Sequence, residues 1–121
     1  MKHRVKGRIL GRVRKGRVAL LKTLLGSLVI KERIITTEAK AKEIKPHMDR
    51  LISKASKISN DPASKVAVIR ELRKNLPLVA VKKLTGEFLT QFGTRKSGFT
   101  RIIKLGQRRS DSAKMAVIEF V

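Results

Sequence analysis

The side chains best suited for chemistry in this sequence are cations, and they are concentrated at its beginning. The first seventeen residues contain eight Lys or Arg side chains and no acid, and the first carboxylate of the chain is Glu32. Because like charges repel and the three glycines of the segment disfavour helix, we predict an extended arm that becomes ordered on a polyanion. A phosphate backbone is the expected partner, since each neutralised phosphate releases condensed counterions. The cations of the arm that we expect to contact phosphate are Lys2, Arg4, Lys6, Arg8, Arg12, Arg14, Lys15 and Arg17.

A second cationic stretch lies near the end of the chain. Six basic residues and no acid occur between Glu87 and Asp111. A solvated loop has the same appearance, and for an isolated run that would be the better interpretation. Together with the arm and a net charge of +21, the run instead favours a second phosphate-binding surface. Its basic residues are Arg95, Lys96, Arg101, Lys104, Arg108 and Arg109.

The aromatic content limits how such surfaces could recognise a nucleic acid. Tryptophan and tyrosine are absent and the chain has four phenylalanines, most of which the core needs. A platform on which bases stack is therefore not available. The sequence predicts contacts mainly to phosphate and sugar, with arginine supplying forked geometry and lysine supplying charge.

Residues for catalysis or metal binding are not grouped in the sequence. The two histidines, His3 and His47, and nine scattered carboxylates do not form the cluster that a metal site or an acid–base pair requires. Gly7 and Gly11 lack the Gly-Lys-Ser/Thr sequence that completes a Walker-type phosphate loop. The absence of cysteine excludes disulfides and a thiol nucleophile, and it suits a reducing cytosol. We predict no enzymatic activity, no cofactor, no metal and no small-molecule substrate.

Length and hydropathy predict one domain behind the arm. With 121 residues, of which 41% are hydrophobic, the chain suffices for one core and is too short for two. We divide it into an arm of residues 1–17 and a domain of residues 18–121. The domain is predicted to be α+β, with several helices packed on a small sheet that a C-terminal hairpin closes.

Two helices and a short strand are predicted in the first half of the domain. The first helix follows the arm, and a strand over residues 32–37 comes next. The second helix is capped by Thr36 or Thr37, has a basic outer face and extends to about residue 59. Pro46 either kinks this helix or marks where its regular part begins. The predicted buried residues are Val18, Leu21, Leu25, Leu28 and Val29 in the first helix, and Ile44, Met48, Leu51 or Ile52, Ala55 and Ile58 in the second.

Two more helices and a hairpin are predicted in the second half. The third helix begins with Asp61 as cap and Pro62 at its first position, and the fourth opens at Pro77 and ends at Gly93. Residues 99–105 and 115–121 are β-rich and flank a polar loop, as in a hairpin. Because both strands are apolar on each face, we expect helices to cover one face and a partner chain or RNA the other. The predicted inner residues are Val66, Ile69 and Leu72 in the third helix, and Val81, Leu84, Phe88 and Phe92 in the fourth.

Other protein classes share some of these features. A basic segment before the apolar run 18–30 is also the order of a secretory signal, but Lys22 interrupts the run and about thirteen residues are too few to span a bilayer. We therefore expect no membrane association. A DNA-compacting protein would bind duplex DNA with the same affinity as structured RNA at equal salt. A protein that binds anionic lipids would instead become helical on anionic vesicles. An RNA-modifying enzyme would need a constellation of reactive groups that the sequence lacks.

Five blocks of the sequence, in order and at matching intervals, resemble the bacterial large-subunit ribosomal protein L17 family, and together they run nearly end to end. The chain ends almost directly after the last predicted strand. The blocks are Met1–Arg4, Gly26–Val29, Ile34–Thr37 with Lys40–Glu43, Gly98–Ile102, and Met115–Glu119.

The resemblance implies a function and a place. It implies an α+β domain in the cytoplasm that binds large-subunit ribosomal RNA near the outlet of the peptide tunnel, beside the neighbouring ribosomal proteins of that rim. The domain would dock through its basic loop and helix faces while the arm enters a crevice between RNA helices. No contacts are transferred to residues 60–76. The positions that the resemblance marks as RNA contacts are Lys2, His3, Arg4, Arg8, Arg95, Gly98, Thr100 and Arg101.

Overall fold

A computed structural model of the chain describes residues 7–60, 62–92 and 97–121, and it confirms the predicted α+β fold. Helices pack on one face of a three-stranded antiparallel sheet. The elements are α1 (Arg14–Lys31), β1 (Arg33–Thr37), α2 (Glu38–Asn60), α3 (Lys65–Asn75), α4 (Leu78–Leu84), β2 (Thr100–Gln107) and β3 (Lys114–Phe120). A short 3-10 segment, Pro62–Ser64, precedes α3, and another, Glu87–Phe92, follows α4.

The sheet has the order β1-β3-β2, so the last strand in the sequence lies at its centre. The predicted hairpin of β2 and β3 is confirmed, and β1 pairs with the other edge of β3. On the inner face, Ile34 and Ile102 flank Ile118, and all three pack on the helices. On the outer face, Ile35 and Ile103 flank Val117 and are 65% and 41% exposed. The outer face thus carries an apolar strip in which two exposed isoleucines flank the buried Val117.

The first helix begins earlier than predicted and buries a shorter face. It starts at Arg14, so the last residues assigned to the arm are helical. Leu25, Leu28 and Val29 are buried, whereas Val18 is 54% exposed, and its predicted burial is wrong. The reason is that close packing occurs in the second half of α1. There a side chain on Gly26 would meet Pro77, with Cβ only 2.6 Å from the proline Cγ.

The second helix is the centre of the core and continues through Pro46, so its regular part does not begin there. Thr37 caps it, because the Thr37 Oγ1 accepts a hydrogen bond from the Lys40 backbone N–H at 3.4 Å. Both Leu51 and Ile52 face inward. The side chain of Ile58 lies outside the described residues. The predicted stripe is otherwise confirmed by the buried residues Ile44, Met48, Leu51, Ile52 and Ala55.

The remaining helices differ from the prediction in three details. The third α-helix begins at Lys65 and not at Pro62, because residues 62–64 form a 3-10 segment before it. In α3 the buried residues are Val68 and Leu72, and the predicted burial of Val66 is wrong because it is 62% exposed. The predicted fourth helix is divided: α4 ends at Leu84, and a 3-10 segment resumes at Glu87 after a turn that contains Gly86. Gly86 has a low helix propensity, and the α-helix is interrupted at this turn. The predicted cap Asp61 and stop Gly93 lie outside the described residues.

Aromatic rings join the second half of the chain to the core. Phe88 and Phe92 from the 3-10 segment contact Phe120 of β3, with ring centroids 5.0 and 5.8 Å apart. Phe92 also lies edge-on to Phe99, at 5.3 Å. All four phenylalanines of the chain therefore belong to one cluster. This placement agrees with the expectation that the core uses them and leaves none for stacking bases.

Candidate nucleic-acid interface

The base of the arm is fixed on α2 by the carboxylate of Glu43. The Arg8 backbone N–H and its Nη1 both donate to Glu43 Oε2, at 3.2 Å each. Glu43 is only 9% exposed, so this pair is shielded from solvent on one side. Gly7 has φ +83° and lies so close that a Cβ there would be 2.8 Å from Glu43 Oε1. Glycine tolerates both the positive φ and the close approach of the carboxylate, because it has no Cβ. The base of the arm is therefore held at a defined point on α2.

The chain between this point and α1 is a compact turn that ends in a cationic helix start. The Arg12 N–H donates to the Ile9 carbonyl at 3.2 Å, and the Arg12 Nη1 donates to the Leu10 carbonyl at 2.7 Å. The first turn of α1 has no acid and receives no side-chain cap. The positive end of the helix dipole and the side-chain cations repel one another here, which favours an added anion. The cations of this turn are Arg14, Lys15 and Arg17.

The second cationic cluster is partly neutralised in the folded chain. Each of three pairs joins a cation of the predicted cluster to a carboxylate outside the acid-free run. The pairs are Arg101 Nε with Glu119 Oε1 at 3.0 Å, Lys104 Nζ with Glu38 Oε1 at 3.7 Å, and Arg108 Nη2 with Asp111 Oδ2 at 2.7 Å. Among the described residues, Arg109 has no such partner. A count of consecutive cations therefore overstates the free charge of this hairpin.

Two carboxylates of this region titrate below their ordinary range. The pKa of Asp111 falls to about 2, because Arg108 donates hydrogen bonds to both of its oxygens and the Ala113 N–H donates a third. The pKa of Glu38 is also lowered, chiefly by the hydrogen bond from Lys42, with smaller effects from Lys104 and Lys114. Both carboxylates are thus fully charged at neutral pH.

Thr100 and Gly98 serve the fold in a way that the sequence did not reveal. The Thr100 hydroxyl is buried and donates to Asp49 Oδ1 at 3.0 Å. Its side chain therefore faces α2, and its predicted contact with RNA stays a prediction. Gly98 has φ +65°, a left-handed conformation that favours glycine at the entry to β2.

The structure brings the base of the arm and the hairpin together at the start of α2. Arg8 from the arm and Lys114 from β3 line one groove of about 430 Å³ together with Glu38 and Lys42 of α2. Lys42 and Lys114 were not singled out as site residues from the sequence, although the basic outer face predicted for α2 includes Lys42. The predicted contacts Lys2, His3, Arg4 and Lys6, and also Arg95 and Lys96, lie outside the described residues.

Two further features bear on the class of protein. No three His, Cys, Asp or Glu residues in the described ranges are grouped so that they could hold a metal ion. Within the same ranges, every helix is too short or too polar to cross a membrane.

Comparison with known proteins gives a consistent result. A sequence model of the family described as ribosomal protein L17 matches residues 20–121. Three similar proteins are each named large ribosomal subunit protein bL17. They are from Thermodesulfovibrio yellowstonii (44% identical over 124 aligned positions), Desulfotalea psychrophila (41% over 125) and Hydrogenobaculum sp. (40% over 126). The alignments cover 100% of this chain and 87%, 90% and 99% of the respective relatives.

Proposed function

This chain belongs to the ribosomal protein L17 family, and on that premise we propose that it is a structural constituent of the large ribosomal subunit that binds ribosomal RNA through phosphate and sugar. The family is a non-enzymatic component of the ribosome, in agreement with the predicted absence of enzymatic activity. The observation that carries the RNA-binding proposal is the start of α1, whose first turn contains Arg14, Lys15 and Arg17, no acid and no side-chain cap.

Phosphate can satisfy this helix start more completely than water does. The backbone N–H groups of a first helical turn have no partner within the helix, and the dipole adds a partial positive charge. An RNA phosphate at this position would accept hydrogen bonds from the backbone and pair with the surrounding cations. The anchored turn before α1 then sets the direction in which the arm continues along the RNA.

The hairpin supplies a second contact with RNA when phosphates replace the carboxylates that pair with its cations. The cations Arg101, Lys104 and Arg108 are 45–70% exposed within their pairs, and an ion pair that solvent reaches contributes little to stability. A phosphate can therefore replace a carboxylate at low cost. In the absence of RNA, these pairs hold the cations in place and limit self-repulsion in a chain of net charge +21.

The finer location that we propose is the rim of the peptide tunnel exit, on cytoplasmic ribosomes and beside neighbouring large-subunit proteins. It rests on the family resemblance. The outer face of the sheet supports a protein neighbour, because Ile35 and Ile103 are exposed beside the buried Val117. A protein side chain can cover such a strip, whereas the bases of a regular RNA duplex are stacked inside the helix and do not reach it.

A charge-neutralised variant tests the RNA-binding function. We expect replacement of Arg12, Arg14, Lys15 and Arg17 with Gln to weaken binding to purified large-subunit ribosomal RNA and to lower the salt slope of log affinity by up to about 3. The matched control replaces four exposed cations of α3 with Gln, and we expect it to bind almost normally. The four control residues are Lys65, Arg70, Arg73 and Lys74.

The outcomes separate the alternatives. Equal losses in the two variants would contradict a specific role for the arm and the start of α1, and would indicate nonspecific attraction by the net charge. Equal affinity of the wild-type chain for duplex DNA and for ribosomal RNA at the same salt would favour a DNA-compacting protein. Co-sedimentation of the tagged wild-type chain with intact large subunits at moderate salt is the result that the proposal requires.

A further inference from the structure

A groove of about 600 Å³ lies between the base of the arm, the first turns of α1 and the middle of α2. Its volume is within the range of roughly 300–1,000 Å³ that is usual for small-ligand sites. One wall is apolar and consists of Val18, Leu21 and Pro46. Val18 was predicted to be buried by the helical period and is instead 54% exposed. The groove therefore accounts for an apolar residue that the core leaves uncovered.

The rest of the groove is cationic. Five Lys or Arg side chains and one carboxylate, that of Glu43, line it. Glu43 already accepts two hydrogen bonds from Arg8, and Lys42 pairs with Glu38 at 2.7 Å. The other three cations, which form no ion pair with any described acid, are Arg14, Arg17 and Arg50.

Arg50 is held in position at the edge of the groove. Its Nε donates to the Pro46 carbonyl at 3.3 Å, and its Nη2 lies 3.3 Å from His47 Nδ1. Burial and the charge of Arg50 lower the pKa of His47, and the Glu43 carboxylate opposes them. A neutral imidazole can accept the Arg50 hydrogen bond at Nδ1, which leaves Nε2–H as a donor. An arginine fixed at two points loses less entropy when it binds an anion.

We propose that this groove binds one unstacked nucleotide of the RNA, a proposal that rests on the RNA-binding function above. The sugar and base lie against Val18, Leu21 and Pro46, and the flanking phosphates pair with Arg14, Arg17 and Arg50. The combination of an apolar wall and unpaired guanidinium groups matches the two parts of a nucleotide, an apolar ring face and an anionic phosphate. A regular RNA duplex does not fit, because its bases are stacked inside the helix and only the backbone reaches the protein.

A substitution in the apolar wall that changes no charge distinguishes binding in this groove from nonspecific electrostatic attraction. We expect Val18→Ser to lower the affinity of the full chain for purified large-subunit ribosomal RNA about fivefold, with an unchanged salt slope, because no cation is removed. The matched control is Val66→Ser, an exposed valine in the first turn of α3, and we expect its affinity to equal that of wild type. Thermal unfolding of both variants checks that each is folded.

A second measurement places the nucleotide directly. Ultraviolet crosslinking of the wild-type complex, followed by peptide mass spectrometry, should yield a nucleotide attached to residues 18–21 or 46–50. Equal affinities of the Val18→Ser and Val66→Ser variants, together with no crosslink in these segments, would overturn the nucleotide site and leave the proposed function intact. Normal RNA affinity of Val18→Ser with poor incorporation into subunits would also overturn it and indicate a protein occupant. Failure of the wild-type chain to prefer ribosomal RNA would instead overturn the proposed function.

Discussion

Gly7 packs directly against the carboxylate of Glu43, so that a Cβ on Gly7 would lie 2.8 Å from Glu43 Oε1. The same carboxylate receives the Arg8 backbone N–H. The contact therefore joins the first described residue of the arm to the central helix of the core. It also ties the described part of the arm to a residue that is distant in sequence.

Replacing Gly7 with Ala is expected to loosen the base of the arm. Alanine is strained at φ +83° by roughly 1 kcal/mol, and its Cβ would displace the Glu43 carboxylate. We expect faster amide hydrogen exchange at Arg8 and weaker binding to ribosomal RNA, with little change in the melting temperature of the core. Gly16→Ala is the control, because Gly16 lies within α1 and its Cβ would have ordinary contacts, the nearest atom being Arg12 Cβ at 3.6 Å. Slower or unchanged exchange at Arg8 in the Gly7 variant would contradict the anchor.

Replacing Gly26 with Ala is expected to destabilise the core itself. The added Cβ would lie 2.6 Å from Pro77 Cγ and 2.7 Å from Cδ, and the rigid proline ring cannot move away without shifting α4. Overpacking of this kind typically costs about 1–3 kcal/mol. Gly86→Ala provides the comparison, since its Cβ would lie 3.5 Å from two carbonyl oxygens. Chemical denaturation should show a lower midpoint for the Gly26 variant only, and equal midpoints would contradict tight packing of α1 on Pro77.

Replacing Thr100 with Val tests the hydrogen bond between β2 and α2. The change keeps the shape of the side chain but removes the donor to Asp49 Oδ1. We expect a loss of about 1–2 kcal/mol in the free energy of unfolding, because a partly buried carboxylate oxygen loses a partner. Thr23→Val removes an exposed hydroxyl that donates to the Ala19 carbonyl, and it should be nearly neutral. A Thr100 variant that is as stable as wild type but binds RNA poorly would contradict the structural role and support a direct contact between Thr100 and RNA.

The hairpin loop should respond to acid through Asp111. The folded-state pKa of this residue, about 2, is below the ordinary value of 3.8. The pair with Arg108 therefore favours the folded loop above the ordinary pKa, and this contribution is lost as the pH falls from about 4 to 2. NMR titration of the Asp111 carboxyl carbon measures the pKa directly. We expect Arg108→Gln to raise it toward 3.8, whereas Arg109→Gln should leave it unchanged, and the opposite pattern would refute the assignment of the partner.

Local patterns were sufficient to predict much of this fold. The stripe from Ile44 to Ala55 identifies α2, because a 3.6-residue period over a long segment admits few alternatives. Thr37 and Pro77 mark helix starts through the chemistry of their own side chains. The hairpin follows from two β-rich segments that flank a polar loop. Each of these signals lies within one element.

The predictions that failed concern residues whose burial or ion pairing depends on another element of the fold. Val18 follows the helical period of α1 but is exposed, because α4 packs only on the second half of that helix. The charge of the hairpin was overestimated, because Glu38 and Glu119 approach Lys104 and Arg101 only after the sheet forms. The groove at Arg50 was missed for the same reason: its walls come from three segments that no sequence spacing relates.

The central position of β3 has a consequence during synthesis of the chain. Translation completes β1 early and β2 late, yet neither edge strand can pair until β3 has left the ribosome, since both bond only to it. Until then Ile34 and Ile35 remain on an unpaired strand, which can pair with other chains and aggregate. The sheet therefore forms in one late step, and any factor that delays this step prolongs the exposure of Ile34 and Ile35.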